Sequence, residues 1–320
     1  MREYFSTGVG VAFMVISAWL SLHWDLQAHS ELSEFIFWQM RVPRVFMGLL
    51  IGGTLSVVGA AFQILFQNPL ATPSTVGTTA GATLGALASL ALGWSGVQLS
   101  SALILPSVAL FSFLGALLAS GLVVAVALRP GARMEEVLLA GIAITLASGA
   151  LAQGIHAIAD ARTLFLSSQW ALGQLPQLGY QKVLLAVLPL GLCCALLIGK
   201  KRSISSFAMG EDWAQSIGVS TRKTRVLILI AACLGVGTSG ALAGPIAFVG
   251  LLVPHLIRMT FHPSPARLLP LSCLYGASFL CLTDLLAREV IDGREIPVGV
   301  FTALIGAPLL FFAVARRQHF

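Results

Sequence analysis

The chain has 320 residues, of which 57% are hydrophobic and only 10% are charged. A soluble domain of this size carries far more charge on its surface, so the composition places the chain in a lipid bilayer. The net charge of +6 would suit nucleic acid, but the basic residues lie between apolar runs and form no contiguous basic face. We therefore expect no nucleic-acid partner, and membrane topology explains the basic residues better.

Ten apolar segments are long enough for membrane spans, by the measure that a helix needs about 20 residues to cross the hydrocarbon core. They are 7–23, 45–66, 76–94, 102–128, 137–158, 183–199, 226–242, 245–258, 268–287 and 297–315. The first run is followed by no A-x-A cleavage site, so it is predicted as an uncleaved span. Segment 24–40 mixes apolar and acidic residues in a pattern that suits a helix lying at the interface.

The distribution of Lys and Arg predicts the orientation. With ten spans and both termini cytoplasmic, roughly twice as many basic residues lie on the inner side as on the outer side. Reading 226–258 as one span would put Arg222 and Arg258 on opposite sides and weaken this asymmetry. The sequence thus predicts an all-α integral membrane protein with a single membrane domain over residues 1–320.

The longest polar interruption of the chain is the segment 200–225, KKRSISSFAMGEDWAQSIGVSTRKTR. Basic clusters flank it, yet its middle carries Phe207, Met209, Trp213, Ile217 and Val219. A merely solvated loop does not need these apolar side chains. The pattern therefore predicts a docking surface outside the membrane.

Groups that would perform chemistry or drive transport are scarce. The sequence contains no G-x-x-x-x-G-K-[ST] phosphate loop, no H-E-x-x-H motif and no Ser/His/Asp set. The five cysteines lie in apolar runs without C-x-x-C spacing, and His255 is predicted as a local hydrogen-bonding residue. We therefore expect no cofactor, no metal centre and no enzymatic activity.

Asp284 is the one plausible acid inside the membrane, with Arg288 one helical turn further on. Ion-driven carriers usually place acids or histidines at mid-membrane, which disfavours an ion-coupled secondary transporter. An intramembrane enzyme is disfavoured because a catalytic constellation is missing. Transport would then be powered from outside the chain, through segment 200–225.

Small residues recur at every fourth position in the third span, at Gly77, Gly81, Gly85 and Ser89. Such stripes let helices approach closely in lipid, and tight packing is the favoured interpretation. A role in lining a transport pathway is the alternative.

Several motifs occur in a fixed order along the chain. They are RVPR (41–44), QNPLATP (67–73), VGTTAGATLGA (76–86), GEDWAQSIGV (210–219), AGPIAFVGLLVPHLIR (243–258), LTDLLAR (282–288) and EIPVGVFTALIGAPLLFF (295–312). Together they resemble the permease subunits of the iron–siderophore, haem and cobalamin family of ABC importers. The resemblance runs nearly end to end, and only the first span and segment 24–40 match loosely.

This resemblance implies a type II ABC importer permease fold in a bacterial inner membrane. The implied partners are two cytoplasmic ATP-binding subunits, a second permease copy (identical or a paralogue), and a periplasmic or lipoprotein substrate-binding protein. The implied substrate is a ferric siderophore, since PSTVGTTAGA (73–82) looks closer to that branch. Haem or cobalamin is the alternative.

The resemblance also implies roles for particular residues. Coupling to the ATPase would fall to Gly210, Glu211, Trp213, Ala214, Ile217, Gly218 and Val219. The pattern suits a helix from about Glu211 to Ile217 that ends at a left-handed Gly218, with Ser220 placed to cap the next helix. Docking of the binding protein would fall to Arg41, Arg44 and Arg288, unless the first two only snorkel at the interface and Arg288 is occupied by Asp284. Segment 160–178 matches the periplasmic gate region, and the helix 134–156 would line the pathway. Further signature or pathway positions are Asn68, Pro69, Gly77, Gly81, Gly244, Pro245, Gly250, Pro254, His255, Arg258, Asp284, Pro297 and Gly299.

Overall fold

The computed structural model describes residues 2–24, 31–94, 101–129, 131–175, 179–291 and 294–315. Within these ranges every regular element is helical. The α-helices are α1 (Arg2–His23), α2 (Glu31–Phe35), α3 (Val42–Leu65), α4 (Thr78–Trp94), α5 (Ser101–Ala127), α6 (Met134–Ile158), α7 (Ala161–Ala171), α8 (Gln181–Gly199), α9 (Lys201–Ser205), α10 (Glu211–Ser216), α11 (Thr221–Ala243), α12 (Val249–Phe261), α13 (Pro265–Glu289) and α14 (Val298–Ala315).

A helix lies at each of the ten predicted spans, namely α1, α3, α4, α5, α6, α8, α11, α12, α13 and α14. Seven helical stretches in the described residues are long and apolar enough to cross a membrane. The other three helices are shorter: α4 has 17 residues, α12 has 13 and α14 has 18, of which Val298–Phe311 counts as a short apolar helix. The all-helical membrane class is thus confirmed, while ten crossings and cytoplasmic termini stay predictions.

The helix is interrupted between α11 and α12, as the distribution of basic residues predicted. Gly244 has φ of 71° and Phe248 has φ of 66°, and both values lie outside the helical region. Pro245 follows Gly244 and has no N–H to continue the helix. Residues 226–258 therefore form two helices rather than one.

Segment 24–40 differs from the expected separate interfacial helix. Within its described part, α2 continues through a π-helical turn, Ile36–Arg41, directly into α3. The resulting helix Ser33–Leu65 has 33 residues, about 50 Å at 1.5 Å per residue, against about 30 Å of hydrocarbon. The wider π turn lies just before Pro43, where a regular helix would lose a hydrogen bond, and it lets the chain run on without a break.

Helix α3 forms the centre of the bundle and is buried along almost its whole length. It packs against α13, α12, α8 and α11. At the crossing with α12, a Cβ on Gly59 would lie 1.8 Å from the carbonyl oxygen of Gly250. The two helices therefore approach to backbone contact, which only residues without side chains allow in lipid.

The glycine stripe of the third span packs against α5. A Cβ on Gly81 would lie 2.4 Å from the carbonyl oxygen of Gly115, and one on Gly85 would lie 2.0 Å from that of Phe111. Gly77 instead approaches α6, where its Cβ would lie 3.2 Å from the carbonyl oxygen of Gly141. Within this chain the stripe thus has the packing role that the sequence favoured.

Candidate coupling and gating sites

The segment between α8 and α11 folds into short helices rather than a loop. Helix α9 is followed by a 3-10 turn, Ser206–Met209, and then by α10. Gly210 precedes α10 with φ of 109°, a conformation that favours glycine. The helix predicted at Glu211–Ile217 is present and ends one residue earlier.

The end of α10 is closed by two backbone hydrogen bonds around Gly218. The N–H of Gly218 donates to the carbonyl of Gln215 at 3.0 Å, and the N–H of Val219 donates to the carbonyl of Ala214 at 3.0 Å. Gly218 has φ of 83°, so the left-handed residue predicted at this position is confirmed. Ser220 stands at the N-cap of α11, but its side chain makes no capping hydrogen bond.

Helix α10 has a buried side and an exposed apolar side. Ala214 is fully buried, and Phe207 just before the helix is 1% exposed. Met209, Trp213 and Ile217 are 68%, 41% and 53% exposed, and we call these three side chains the coupling face. Their exposure outside the spans is typical of a protein-binding surface.

Polar contacts tie α10 to the bundle. Glu211 forms an ion pair with Arg225 of α11, and Arg225 also donates to the carbonyl of Ala132 at 2.8 Å. The Gln67 amide donates to the carbonyl of Phe207 at 2.8 Å. Displacement of the coupling face would therefore move the ends of α3 and α11 and the connection before α6.

Asn68 and Pro69 form the turn after α3, where the Asn68 Oδ1 accepts from the N–H of Leu70 at 2.9 Å. Such an Asx turn stabilises the chain reversal. Nearby, the side chain of Arg258 donates to that of Gln63. These signature residues thus fix the junction of α3 and α12, and His255 and Pro254 lie buried within α12.

The opposite end of the bundle carries a buried cluster of charged groups. Arg44 donates to Asp284 through two pairs of atoms at 2.9 Å, Nε to Oδ2 and Nη2 to Oδ1. Its Nη1 donates to Oε2 of Glu295 at 2.9 Å. Arg288 Nε lies 3.5 Å from Asp284 Oδ2, and its Nη2 donates to Ser21 Oγ at 3.0 Å. We call Arg44, Asp284, Arg288 and Glu295 the charged cluster.

The charged cluster bears on the predicted docking arginines. The side chains of Arg44 and Arg288 are only 10% and 11% exposed. Arg41 is half-buried and donates to the carbonyl of Leu22 at 3.0 Å. Their docking role stays a prediction, and for Arg44 and Arg288 it requires the cluster to open.

The predicted gate segment contains α7, and its residues 176–178 lie outside the described part of the chain. Asp160 caps α7 by accepting from the N–H of Thr163 at 3.0 Å. Hydrogen bonding with Thr163 holds the pKa of Asp160 below its ordinary value, because the bond favours the carboxylate. The cap fixes where the helix of the gate segment begins.

Three chain segments come into direct backbone contact just after α7. The N–H of Gln174 donates to the carbonyl of Ala243 at 2.7 Å, and the N–H of Gly299 donates to that of Gly173 at 3.1 Å. A Cβ on Gly244 would lie 2.4 Å from the carbonyl oxygen of Trp170. We call residues 170–175, 243–245 and 297–299 the gate crossing.

The gate crossing brings together Gly244, Pro245, Pro297 and Gly299 of the predicted set. It adds Gly173, which has φ of 69° and whose Cβ would lie 2.4 Å from the carbonyl oxygen of Pro245. Sequence reasoning did not single out Gly173, although it lies within segment 160–178, which matches the gate region of the family. Its partners are distant in the sequence, so only the fold shows why glycine is needed there.

A cavity of about 340 Å³ lies beside the gate crossing, between α3, α4 and α11. Its wall is mainly apolar, and its polar side-chain groups are the hydroxyls of Thr72, Ser74, Thr79 and Ser239 and the indole of Trp170. No charged residue lines it. Within the described residues, no group of three or more His, Cys, Asp or Glu side chains could hold a metal ion.

The structure is thus a helical membrane bundle with exposed apolar side chains around α10 at one end and a close crossing of glycines at the other. The sequence model of the FecCD transport family matches residues 4–316. The chain belongs to this family and is an ABC importer permease.

Three relatives are similar over most of their length. An uncharacterised ABC transporter permease protein, YvrB of Bacillus subtilis, is 37% identical over 89% of this chain and 79% of the relative. The vitamin B12 import permease BtuC of Vibrio cholerae is 33% identical over 95% and 89% of the two chains. The hemin transport permease HmuU of Yersinia pestis is 33% identical over 89% and 84%.

A solved structure described as an inward-facing ABC transporter of the metal-chelate type has the same fold. It superposes with a TM-score of 0.87 at 27% identity, covering 98% of this chain and 99% of the other. The agreement extends over the whole chain, so the helical arrangement is that of this transporter class.

Proposed function

We propose that this chain is the membrane subunit of an ATP-driven importer that carries a ferric siderophore across a bacterial inner membrane. Two separate cytoplasmic subunits hydrolyse ATP, since the chain contains no phosphate-binding loop of its own. The observation that carries this proposal is the coupling face: three exposed apolar side chains on α10 and at its two ends, in a segment tied to α3 and α11.

Each predicted coupling residue has a distinct part in this proposal. Trp213 and Ile217 insert into the ATPase subunit, while Ala214 packs the helix onto the bundle. Gly210 and Gly218 adopt the positive φ angles needed at the two ends of α10. The N–H of Val219 donates to the carbonyl of Ala214 and completes the turn at the C-terminal end. Glu211 transmits force to α11 through Arg225.

Proteoliposomes that enclose ATP, with the ATPase subunits on the inner face and the loaded binding protein outside, test the coupling. Trp213→Arg should abolish ATP-dependent uptake, because it puts a charge in an apolar contact, while Gln215→Arg on the exposed flank of the same helix should retain most of it. Binding of the ATPase subunits to the purified variants should follow the same order. Uptake that survives Trp213→Arg would contradict the coupling role.

The same proteoliposomes identify the energy source and the substrate. Uptake should continue when ion gradients are collapsed and stop when the ATPase subunits are removed; the opposite result would favour an ion-coupled carrier. Ferric siderophores should be taken up before haem or cobalamin. The cobalamin and haem transport named for two relatives makes those chelates the second candidate, and their preferred uptake would replace the siderophore.

A second permease copy completes the proposed pathway. Helix α6 buries only Val137, Gly141 and Ser148 within this chain, and it leaves Leu146 and Leu151 exposed over much of its length. A face of this extent suits the second copy and the pathway between the copies. The neutral wall of the cavity beside the gate crossing suits a large chelate that must pass without being held.

Docking of the binding protein is proposed at Arg41, Arg44 and Arg288, whose guanidinium groups suit carboxylates on its lobes. Arg41→Glu should weaken capture of the loaded binding protein in a pull-down, most strongly at low salt. Lys182→Glu, an exposed change at the start of α8, serves as the control for general charge. Equal effects of both substitutions would remove Arg41 from the docking surface.

A further inference from the structure

An open groove of about 530 Å³ lies between α5, α8 and α11, next to segment 200–225, which we call the coupling segment. Its floor and walls are apolar, with Leu128, Leu196, Leu227 and Ile230 among the lining residues, and two cations, Arg222 and Lys223, stand at one end. We propose that this groove binds a phospholipid with an anionic headgroup, its phosphate at Lys223 and an acyl chain along the apolar wall.

The cations lie where a headgroup would lie. Arg222 and Lys223 are in the first turn of α11, directly after the polar coupling segment. Ile230 lies seven residues further along α11, which is about 10 Å deeper at 1.5 Å per residue. The groove thus changes from charged to apolar over the distance from a headgroup to the upper part of an acyl chain.

Arg222 and Lys223 are arranged differently. The Arg222 guanidinium donates to the carbonyl of Leu128 and so joins the end of α5 to α11. Lys223 is exposed and forms no ion pair with a carboxylate in the described part of the chain. An anionic phosphate would balance the positive charge of Lys223, as in basic sites between helices at the cytoplasmic face.

The apolar part continues along α8. Leu196 lines the groove. Leu192 and Leu188, which lie one and two helical turns further from the cationic end, are 46% and 77% exposed. Ile230 on α11 is 47% exposed. A bound acyl chain therefore has an apolar track on two helices, which a soluble phosphate compound would leave unused.

The position of the groove gives the lipid a place in the transport cycle. The groove lies where α8 ends before the coupling segment and α11 begins after it. A bound lipid therefore contacts both helices that flank the coupling face. This consequence rests on the proposed coupling function. Lipid binding itself does not, because it can be measured on the purified permease without ATPase subunits.

Native mass spectrometry of the detergent-purified protein tests the site. Phosphatidylglycerol and phosphatidylcholine with the same acyl chains are offered at equal concentration, and phosphatidylglycerol should bind preferentially. Lys223→Gln should weaken phosphatidylglycerol binding about fivefold, while Lys182→Gln at the other end of α8 should leave it unchanged. Equal binding of the two lipids, or equal effects of the two substitutions, would overturn the proposal.

A second arm tests the acyl chain. Leu196→Trp fills the groove and should abolish preferential phosphatidylglycerol binding, whereas Val187→Trp, exposed on the opposite face of α8, should not. Excess glycerol phosphate should fail to displace the lipid; displacement would mean that the cations bind any phosphate. Cross-linking of a cysteine at Leu227 to a second copy would show that protein, not lipid, fills the groove.

Discussion

Asp284 is the residue around which the charged end of the bundle is organised. It accepts hydrogen bonds from Arg44 and lies within ion-pair distance of Arg288, and its own side chain is 3% exposed. Burying an unpaired carboxylate is costly, so each arginine matters mainly because Asp284 is already buried. An arginine buried in this way can bind a carboxylate of another protein only after the cluster has opened.

Replacing Arg44 should therefore destabilise the protein far more than replacing Arg41. Arg44→Ala leaves Asp284 buried with only the longer contact to Arg288, and we expect a loss of about 3–5 kcal/mol. Denaturation in detergent, followed by circular dichroism, measures it. Arg41→Ala is the control, because Arg41 donates to the backbone carbonyls of Leu22 and Trp24 and is not one of the arginines paired with Asp284. Similar losses for both would mean that the cluster contributes little.

Helix packing in this bundle depends on a few crossings at which glycines bring two helix backbones into direct contact. At the crossing of α3 and α12, the atoms nearest a Cβ on Gly59 belong to the backbone of Gly250. Backbone atoms cannot move aside as a flexible side chain can, so a larger residue must separate the helices. Van der Waals packing drives helix association in lipid, and that separation forfeits it.

Gly59→Val should lower the unfolding temperature or prevent accumulation of the protein in the membrane. Gly121→Val in α5 introduces the same side chain at a helical glycine where an added Cβ would have no neighbouring atom within 4 Å, and it should be tolerated. Fluorescence-detected size exclusion and thermal melting compare the two. Equal tolerance would show that α3 and α12 have room to separate.

The whole molecule connects its two candidate sites through α8 and α11. Helix α8 begins near the gate segment and ends at the coupling segment, and α11 begins at the coupling segment and ends at the gate crossing. Both helices pack against α3. A displacement of the coupling face can thus reach the gate crossing through two helices and a rigid centre.

This arrangement assumes that α11 and α12 each cross the membrane. Reporter fusions test it: junctions after Ser220 and after Pro263 should both be cytoplasmic, with fluorescent protein active at each. Junctions after Gly179 and Ile291 should be external, with alkaline phosphatase active. Opposite sides for Ser220 and Pro263 would reduce the count to nine crossings and separate the termini.

The amino-acid sequence by itself determined the positions of the ten apolar helices, of α10 and of the glycine that ends α10. These features are local, since apolar length, a basic cluster and a left-handed glycine act within a few residues of themselves. Local patterns were less reliable at segment 24–40, where a π turn before Pro43 joined two helices that had been expected to be separate.

Only the tertiary structure decided which distant residues meet. Arg44 and Asp284 are separated by 240 positions, and Gly173, Gly244 and Gly299 come from three separate segments. Helical periodicity specifies the face of a residue but not the helix packed against it, and the choice of partner depends on close packing across the whole bundle. For that reason the charged cluster, the gate crossing and the groove between α5, α8 and α11 emerged only when the helices were assembled.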